Sequence, residues 1–361
     1  MYTTKLYFSF LKIQATPHLL SHKMSQDLGY TVAISGRFVT VALLRLFKMF
    51  RLFALVCFGV TCNATPTRHR MSVNDRPIIG ILAQQVDETI MQPFGNNYIP
   101  ATYVKYLESG GSRVVPIRLN RSEAEYEKIF NSINGMLYIG GAANLVTSDY
   151  AKAARVFFQL ALKANKKGDY FPLWGTCMGF QLLTVMVAGE NLLSDTPAEN
   201  LALPLNLTQE AHSSHMFKDF PAKLLKAISH EPLTGNFHHY GVTETAFRGD
   251  EKLSQSFSIL STNVAENGAV FVSTMEGKQY PFYGVQWHPE VNRFQWHPKK
   301  QFPHSPNAVR VSSLLAEFFV NEARKSAHHF TSPEEEASAL IYSYTPVYTA
   351  NVTSYEQCYF F

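Results

Sequence analysis

The stretch PLWGTCMGFQ, from Pro172 to Gln181, joins an apolar run to a helix-like run and places one cysteine between two glycines at the junction. A short apolar run bounded by a glycine indicates a buried strand, and the residues after the cysteine indicate a helix. Gly175 and Gly179 permit the tight turn that a strand-to-helix junction needs. We therefore predict that Cys177 stands on a turn at the carboxyl end of a strand.

Apolar runs of strand length alternate with amphipathic stretches throughout the first half of the chain. Strands are predicted at PIIGILA, RVVPIR, GMLYIGG and YFPLWG, with helices between them over residues 103–109, 122–133 and 149–166. The second of these helices begins with the capping-box pattern Ser-Glu-Ala-Glu. This alternation predicts an α/β fold with a mainly parallel central sheet and helices on both faces.

The second half of the chain has a weaker pattern. Between residues 190 and 276, additional short antiparallel strands are predicted at FSILSTN and AVFVSTMEG. The stretch YPFYGVQWHPE then indicates a clear strand that ends in a polar cluster, and residues 307–325 indicate an amphipathic helix. Because no repeat, low-complexity run or linker interrupts them, residues 65–361 are interpreted as a single domain.

The basic charge of the chain is concentrated near its N-terminus. The whole chain has a net charge of +4, yet residues 1–64 contain seven basic residues and one acidic residue, which leaves −2 for the remainder. A net-negative domain gives no support for nucleic-acid binding, so no such partner is predicted.

The N-terminal segment has the features of a secretory signal peptide. From Met49, the stretch MFRLFALVCFGVTCNA has a basic residue, an apolar core and small residues before a cleavage site near Ala64. We predict an extension and signal peptide over residues 1–64, with residues 1–48 showing no usable pattern. A membrane span is disfavoured because basic residues interrupt the apolar run, so we expect a secreted protein without stable membrane insertion after signal removal.

Sequons and cysteine usage fit this expectation. Four Asn-x-Ser/Thr triplets predict N-glycosylation, and the first of them lies at the cleavage site. They begin at Asn63, Asn120, Asn206 and Asn351. Two of the four cysteines leave with the signal, so the mature chain keeps Cys177 and Cys358 and is no disulfide scaffold. A bridge between these two is left open by the sequence.

Cys177 is interpreted as a nucleophile, against the alternative of a small buried hydrophobic residue. The G-x-C-x-G frame is typical of a nucleophile elbow, and the positive end of the helix after it favours a thiolate. His288 follows another predicted strand and is the candidate base, while Glu290 is placed to orient its imidazole. His297, in FQWHPKK, lacks both the strand and the carboxylate and is not selected.

An anion-binding turn completes the predicted site. Gly140 and Gly141 follow the third strand, and the N–H groups of Gly141 and Met178 form the candidate oxyanion hole. The histidines are numerous, but none falls in a metal-ligand frame such as H-E-x-x-H, so neither a metal nor a cofactor is predicted. Nucleophile, base and oxyanion donors together indicate acyl transfer.

The ordered set G-G, G-T-C-x-G and W-H-P-E resembles the class I glutamine amidotransferases, whose Cys-His-Glu triad hydrolyses the side-chain amide of glutamine. Longer stretches are similar to the γ-glutamyl hydrolase family within that superfamily. They run from about residue 76 to the C-terminus and include RPIIGIL, YVKYLESGGSRVVPIRL, GDYFPLWGTCMGF, STMEGKQYPFYGVQWHPE and LAEFFVNEARK. The resemblance implies a cysteine hydrolase that cleaves the γ-glutamyl bonds of folate poly-γ-glutamates or of other γ-glutamyl peptides.

The same resemblance assigns roles to individual residues. It implies that Cys177 is the nucleophile, that His288 is the proton donor, and that His238 and Tyr103 lie near the substrate. It also implies a homodimer and a lysosomal as well as an extracellular location. The sequence departs from the family at three positions, with other residues where Glu, Lys and Pro are expected: Gln181, Val291 and Ile139.

Two alternatives from other functional classes remain open. A glutaminase that supplies ammonia to a synthase would need a synthase partner or a fused synthetase domain, and this chain shows neither. A catalytically inactive secreted binding protein on the same fold would have no need of an intact Cys177 and His288.

Overall fold

The computed structural model describes residues 73–361 of the chain. The predicted signal peptide and its boundary at residue 64 lie outside the described residues. The described part lies within one compact unit. No helix in this part is both long and apolar enough to cross a membrane.

The central feature is a sheet of eight strands. Their bounds are β1 Ile78–Leu82, β4 Arg113–Ile117, β5 Gly135–Tyr138, β6 Leu173–Thr176, β8 Asn206–Leu207, β10 Phe257–Val264, β11 Val270–Gly277 and β12 Phe282–Val285. In the order β4-β1-β5-β6-β12-β11-β10-β8, the first five strands run parallel to their neighbours, and the last three are joined antiparallel. The prediction of a mainly parallel sheet is confirmed.

Ten α-helices are present in residues 73–361, with short 3-10 turns at Gln92–Phe94, Glu210–Ser213 and Ile341–Ser343. Their bounds are α1 Ala101–Ser109, α2 Glu123–Phe130, α3 Asp149–Lys166, α4 Met178–Ala188, α5 Ala222–Ile228, α6 Glu244–Gly249, α7 Glu251–Ser256, α8 Val291–Phe294, α9 Pro306–Ala323 and α10 Pro333–Ala339. Ser122 and Glu125 form the predicted capping box at the start of α2, which ends three residues earlier than residue 133.

The helices cover both faces of the parallel strands. On β6, the Trp174 ring packs against Phe319 of α9, with 5.5 Å between ring centroids. The next residue, Gly175, faces the backbone of Gly179 in α4. Because successive strand residues point to opposite faces, α9 and α4 lie on opposite sides of the sheet. The fold prediction is confirmed in this respect as well.

Two smaller sheets were only partly expected from the sequence. β7 (Ser194–Leu203) and β9 (Thr234–Gly241) form an antiparallel ribbon. β2 (Gln84–Gln85), β3 (Asn97–Pro100), β13 (Val347–Tyr348) and β14 (Gln357–Phe360) form a four-stranded sheet in the order β13-β14-β3-β2. No sequence pattern predicts the four-stranded sheet. The antiparallel strands predicted at FSILSTN and AVFVSTMEG are confirmed as β10 and β11, each eight residues long.

Candidate active site

The predicted site residues follow three neighbouring strands and lie at one edge of the sheet. β5, β6 and β12 are adjacent and parallel, so their carboxyl ends lie side by side. Gly140 follows β5, Cys177 follows β6 directly, and His288 follows β12. Ligands of open parallel sheets bind at such carboxyl ends. The residues predicted from separate motifs therefore meet because of the strand order.

Cys177 has the backbone conformation of a nucleophile elbow. Its φ of 51° and ψ of −109° lie outside the conformations that a residue with a Cβ ordinarily adopts. A Cβ on Gly179 would collide with the carbonyl oxygen of Tyr138, so only glycine fits where α4 approaches β5. The backbone N–H of Cys177 donates to Val285 O at 2.8 Å, which ties the elbow to β12. Strain of this kind is typical of functional turns.

The His288 imidazole lies between a carboxylate and the thiol. Its Nδ1 is 2.6 Å from Oε1 of Glu290, and since an ionised carboxylate only accepts, Nδ1 carries the proton. An ideal Cβ on Gly140 would lie 2.7 Å from Cε1 of His288 and 3.3 Å from Cβ of Cys177, so both side chains lie close to one point. His288 Nε2 is buried without a hydrogen-bond partner in the described residues. It is the nitrogen left for the thiol or the substrate.

The charges around His288 stabilise its protonated form. Burial lowers the pKa of His288, but the negative charges of Glu290 and of ionised Cys177 outweigh burial and raise the pKa to about 10. Glu290 is itself only 2% exposed. The arrangement favours an imidazolium between Glu290 and Cys177. Glu290 thus lies where the sequence predicts it, against the imidazole.

The turn after β5 is held by two side chains from elsewhere in the fold. The N–H of Gly140 donates to Oη of Tyr103 at 3.0 Å, and Gln84 Nε2 donates to the carbonyl oxygen of Gly140. In a trans peptide the N–H of the next residue points away from that carbonyl, so Gln84 fixes the direction of the Gly141 N–H. A Cβ on Gly141 would occupy the space of the Gln84 amide.

The second candidate oxyanion donor belongs to the helix. Met178 is the first residue of α4, so its N–H has no acceptor within the helix. The Gly140 N–H is engaged by Tyr103, which leaves Gly141 and Met178 as donors on the two turns that flank the thiol. This geometry agrees with the predicted pair, and their function stays a prediction.

His238 also lies at the site, on β9 of the ribbon. Burial, with an added contribution from positive charge on His288, lowers the pKa of His238 to about 3. The ring packs edge-on against Phe271, with 4.9 Å between centroids. His238 is therefore a neutral imidazole near His288 at any pH in the neutral range.

The three departures from the family pattern have different surroundings. Gln181 donates to Tyr240 O at 2.7 Å and to Gln286 Oε1 at 3.2 Å, so its amide links α4 to the ribbon. Val291 is buried and lies beside Gly235 of β9. Ile139 is fully buried, and its carbonyl accepts a hydrogen bond from Tyr150 at 3.2 Å. None of these contacts involves Cys177 or His288.

The other candidate positions that the structure describes make no contact with Cys177 or His288. His297 lies on the loop after α8, where its Nδ1 contacts the Lys299 N–H at 3.4 Å. Within residues 73–361 no three potential ligands among His, Cys, Asp and Glu converge as a metal site. Cys177 and Cys358 are both buried and free, so the disulfide bridge left open by the sequence is not formed. The three sequon asparagines in the described part are all exposed: Asn120, Asn206 and Asn351.

Sequence reasoning missed three residues of the site. Gln84 is buried and contacts Gly140, although it follows β1 in a segment that shows no motif. Phe237 packs its ring edge-on against His288, with 5.6 Å between centroids. Tyr355, near the C-terminus, lies close enough to Glu290 and Cys177 for their charges to contribute to its raised pKa, for which burial is the main cause. Two signals were available: Phe237 stands next to His238 in NFHHY, and Tyr355 lies in SYEQCY, a C-terminal stretch that resembles the family.

The chain is similar to several known proteins. The chain matches the peptidase C26 family over residues 77–290. It is 50% identical to human γ-glutamyl hydrolase over 286 residues, which cover 79% of this chain and 90% of the human protein. It is 39% identical to γ-glutamyl hydrolase B of Dictyostelium discoideum, with 80% of this chain and 84% of that protein covered.

One plant protein and one solved structure were also matched. γ-Glutamyl hydrolase 1 of Arabidopsis thaliana is 36% identical, with 80% of this chain and 84% of that protein covered. A solved glutamine amidotransferase of Thermotoga maritima aligns with a TM-score of 0.38 and 12% identity, covering 69% of this chain and 98% of that one.

Proposed function

Because the chain belongs to the peptidase C26 family and to its γ-glutamyl hydrolases, we propose that it hydrolyses γ-glutamyl bonds through an acyl-enzyme on Cys177. The observation that carries the mechanism is the convergence of Cys177, His288 and Glu290 at the carboxyl ends of β6 and β12. The hydrogen bond of 2.6 Å between His288 and Glu290 leaves Nε2 of the imidazole for proton transfer. The similarity to γ-glutamyl hydrolases confirms the predicted enzyme class, and the residue roles are our proposal.

Acylation begins with the thiolate of Cys177 attacking the γ-carbonyl carbon of the substrate. The new C–S bond moves the carbonyl π electrons onto oxygen, and the N–H groups of Gly141 and Met178 stabilise the resulting oxyanion. The intermediate collapses with cleavage of the C–N bond, and the leaving amine takes the proton from Nε2 of His288. The products of this half-reaction are a free amine and a γ-glutamyl thioester.

Deacylation repeats these steps with water as the nucleophile. His288, now neutral, accepts a proton from the attacking water at Nε2. The second tetrahedral intermediate expels the Cys177 thiolate and releases a γ-carboxylate. Glu290 holds the Nδ1 proton in place and stabilises the imidazolium at both stages. The cycle consumes one water molecule and needs no other co-reactant.

The proposed substrate is a folate poly-γ-glutamate or another γ-glutamyl peptide. A γ-linked glutamyl peptide is a glutamine side-chain amide whose nitrogen carries a further amino acid. The same thiolate and oxyanion hole can therefore cleave either compound, and only the leaving group differs. The similarity of the chain to γ-glutamyl hydrolases, through stretches that extend well beyond the triad motifs, favours the peptide over free glutamine.

The cellular setting is also a proposal. The signal-like stretch over residues 49–64 and the sequons at Asn120, Asn206 and Asn351 support a glycosylated protein of the extracellular space and the lysosome. The exposure of these asparagines is a requirement for glycan attachment. Assembly as a homodimer is supported by the family resemblance alone.

The decisive experiment compares two cysteine-to-alanine variants. Cys177→Ala removes the nucleophile, and turnover of p-aminobenzoyl-tri-γ-glutamate should fall by several orders of magnitude while the protein stays folded. Cys358→Ala is the matched control, because it also removes one sulfur atom, from a buried position on β14 outside the triad. Melting curves establish that both variants fold. A folded Cys177→Ala protein with more than a few per cent of wild-type turnover would contradict the mechanism.

The same preparations separate the two alternatives. A glutaminase would release ammonia from free glutamine faster than it cleaves the γ-glutamyl peptide. An inactive binding protein would retain the peptide without cleaving it, and the Cys177→Ala substitution would change nothing. We expect the wild-type protein to cleave the peptide and to release little ammonia.

A further inference from the structure

The loop between α8 and α9 lies beside the outer part of the ribbon, close to the catalytic histidine. We refer to residues 295–304 as the outer loop. Asn200 of β7 binds it twice: its Oδ1 accepts from the Gln301 N–H at 2.7 Å, and its Nδ2 donates to Lys299 O at 3.4 Å. Lys300 Nζ donates to Oε1 of Glu199 at 3.0 Å. These contacts fix the outer loop on the ribbon.

Aromatic side chains continue from His288 towards the outer loop. The Phe237 ring is edge-on to the His288 imidazole at 5.6 Å and to the Phe302 ring at 5.2 Å. Both phenylalanines are half-buried, so each keeps an accessible portion. Farther along the loop, Trp296 stacks on His304 with 4.1 Å between centroids and is 62% exposed. His304 is in turn edge-on to Phe302, with 6.4 Å between centroids, so the rings form a continuous series from His288 to Trp296.

A single lysine is placed over one of these rings. Lys300 Nζ lies 5.6 Å from the centroid of Phe237, and Glu199, its ion-pair partner, is the cross-strand neighbour of Phe237. The outer loop contains two lysines and no acidic residue, whereas residues 65–361 as a whole carry a net charge of −2. The acidic groups that face the loop are Glu199 and Glu356, whose Oε1 accepts from the Trp296 N–H at 2.7 Å. Lys300 is thus held over the Phe237 ring, and Glu199 neutralises its positive charge only in part.

We propose that Lys300, with the rings of Phe237 and Phe302, forms a subsite for the leaving portion of a γ-glutamyl substrate. This inference rests on the proposed function. Each residue of a γ-linked chain keeps its α-carboxylate, and bond lengths place successive carboxylates roughly 6 Å apart. His288 delivers its proton to the leaving nitrogen, so groups packed against the imidazole lie beside the leaving residue. Lys300 exchanges Glu199 for that carboxylate, and the chain methylenes lie on the two rings.

The ion pair between Lys300 and Glu199 limits which anions can bind at the subsite. A free lysine over an aromatic ring would bind any anion, whereas a lysine already paired with Glu199 exchanges partners only for a carboxylate that other contacts also hold. The side chains of the pair are 29% and 37% exposed, so the exchange does not require a buried charge to be left alone. The subsite therefore contributes selectivity for a leaving group that carries a carboxylate.

Two substrates that differ only in the leaving portion test the proposal. In p-aminobenzoylglutamyl-γ-glutamate the leaving residue has carboxylates, and in p-aminobenzoylglutamyl-γ-butylamide it has none. Lys300→Met keeps the aliphatic chain over Phe237 and removes the charge. The ratio of KM for the glutamate substrate to KM for the butylamide should rise about tenfold, the scale of one charge-assisted hydrogen bond. Lys299→Met, at the exposed neighbouring position, is the matched control.

A second variant keeps the test independent of the folding of Lys300→Met. Glu199→Gln removes the competing carboxylate, so KM for the glutamate substrate should fall while KM for the butylamide does not. Equal KM ratios for Lys300→Met, Lys299→Met and wild type, or a ratio that Glu199→Gln leaves unchanged, would overturn the subsite. A wild-type protein that cleaves neither compound would instead contradict the proposed function.

Discussion

Acidification should destabilise the fold through His238, which lies beside the catalytic pair. Burial, with a contribution from charge on His288, lowers the pKa of His238 to about 3, whereas an unfolded histidine titrates near 6.5. A depressed folded pKa means that the unfolded state binds the proton first. The stability contribution of neutral His238 is therefore complete above the unfolded pKa and is lost as pH falls towards the folded one.

The size of the effect follows from the two pKa values. At about 1.4 kcal/mol per pH unit, the loss between pH 7 and pH 5 is about 2 kcal/mol in the free energy of unfolding. His238→Gln stays neutral at every pH and should not show this part of the dependence. The stability difference between wild type and His238→Gln should therefore shift by about 2 kcal/mol over that interval.

Urea unfolding at pH 7, 6 and 5 measures this difference, because titration of all other groups cancels between the two proteins. His239→Gln is the control, since it makes the same chemical change at the exposed neighbouring position of the same strand. Its unfolding free energy should run parallel to that of the wild type. Parallel curves for wild type and His238→Gln would refute the buried neutral imidazole.

Two further predictions concern the catalytic machinery. Glu290→Gln removes one of the negative charges that raise the pKa of His288, so that pKa should fall. The value of kcat/KM should fall roughly 10³-fold, and a pH–rate profile identical to wild type would contradict the assignment. Gln84→Ala leaves the Gly140 carbonyl without its hydrogen-bond donor and frees the Gly141 N–H to rotate. The value of kcat should therefore fall by roughly 100-fold with little change in KM. An increase in KM alone would show that Gln84 acts only on binding.

The parallel part of the fold could be predicted from the sequence because its signals are local. IIGIL is buried at all five positions of β1, so the continuous apolar run predicts the strand directly. α3 begins and ends at the predicted residues, since Ser148 caps its N-terminus and its apolar positions recur on one face. Each signal lies within one continuous segment, of five residues in β1 and of 18 residues in α3.

The ribbon and the four-stranded sheet lack such signals. β7 contains a proline and its register with β9 shifts twice, so buried and exposed residues do not alternate with a period of two. β3 pairs with β14 across more than 250 residues of chain, and a four-residue strand carries no information about so distant a partner. Tertiary packing rather than local pattern decides these elements.

The same contrast between local sequence signals and tertiary packing applies to the site. Cys177 and His288 follow strands whose order is set by parallel packing, so their motifs were sufficient to bring them together before the structure was known. Phe237 and Lys300, by contrast, lie on the ribbon and the outer loop, where contacts such as the Glu199 ion pair replace any sequence pattern. A thiolate mechanism tolerates little displacement of its groups and benefits from the rigid sheet. Recognition of the leaving group allows more variation, and it is placed on the elements that the sheet does not constrain.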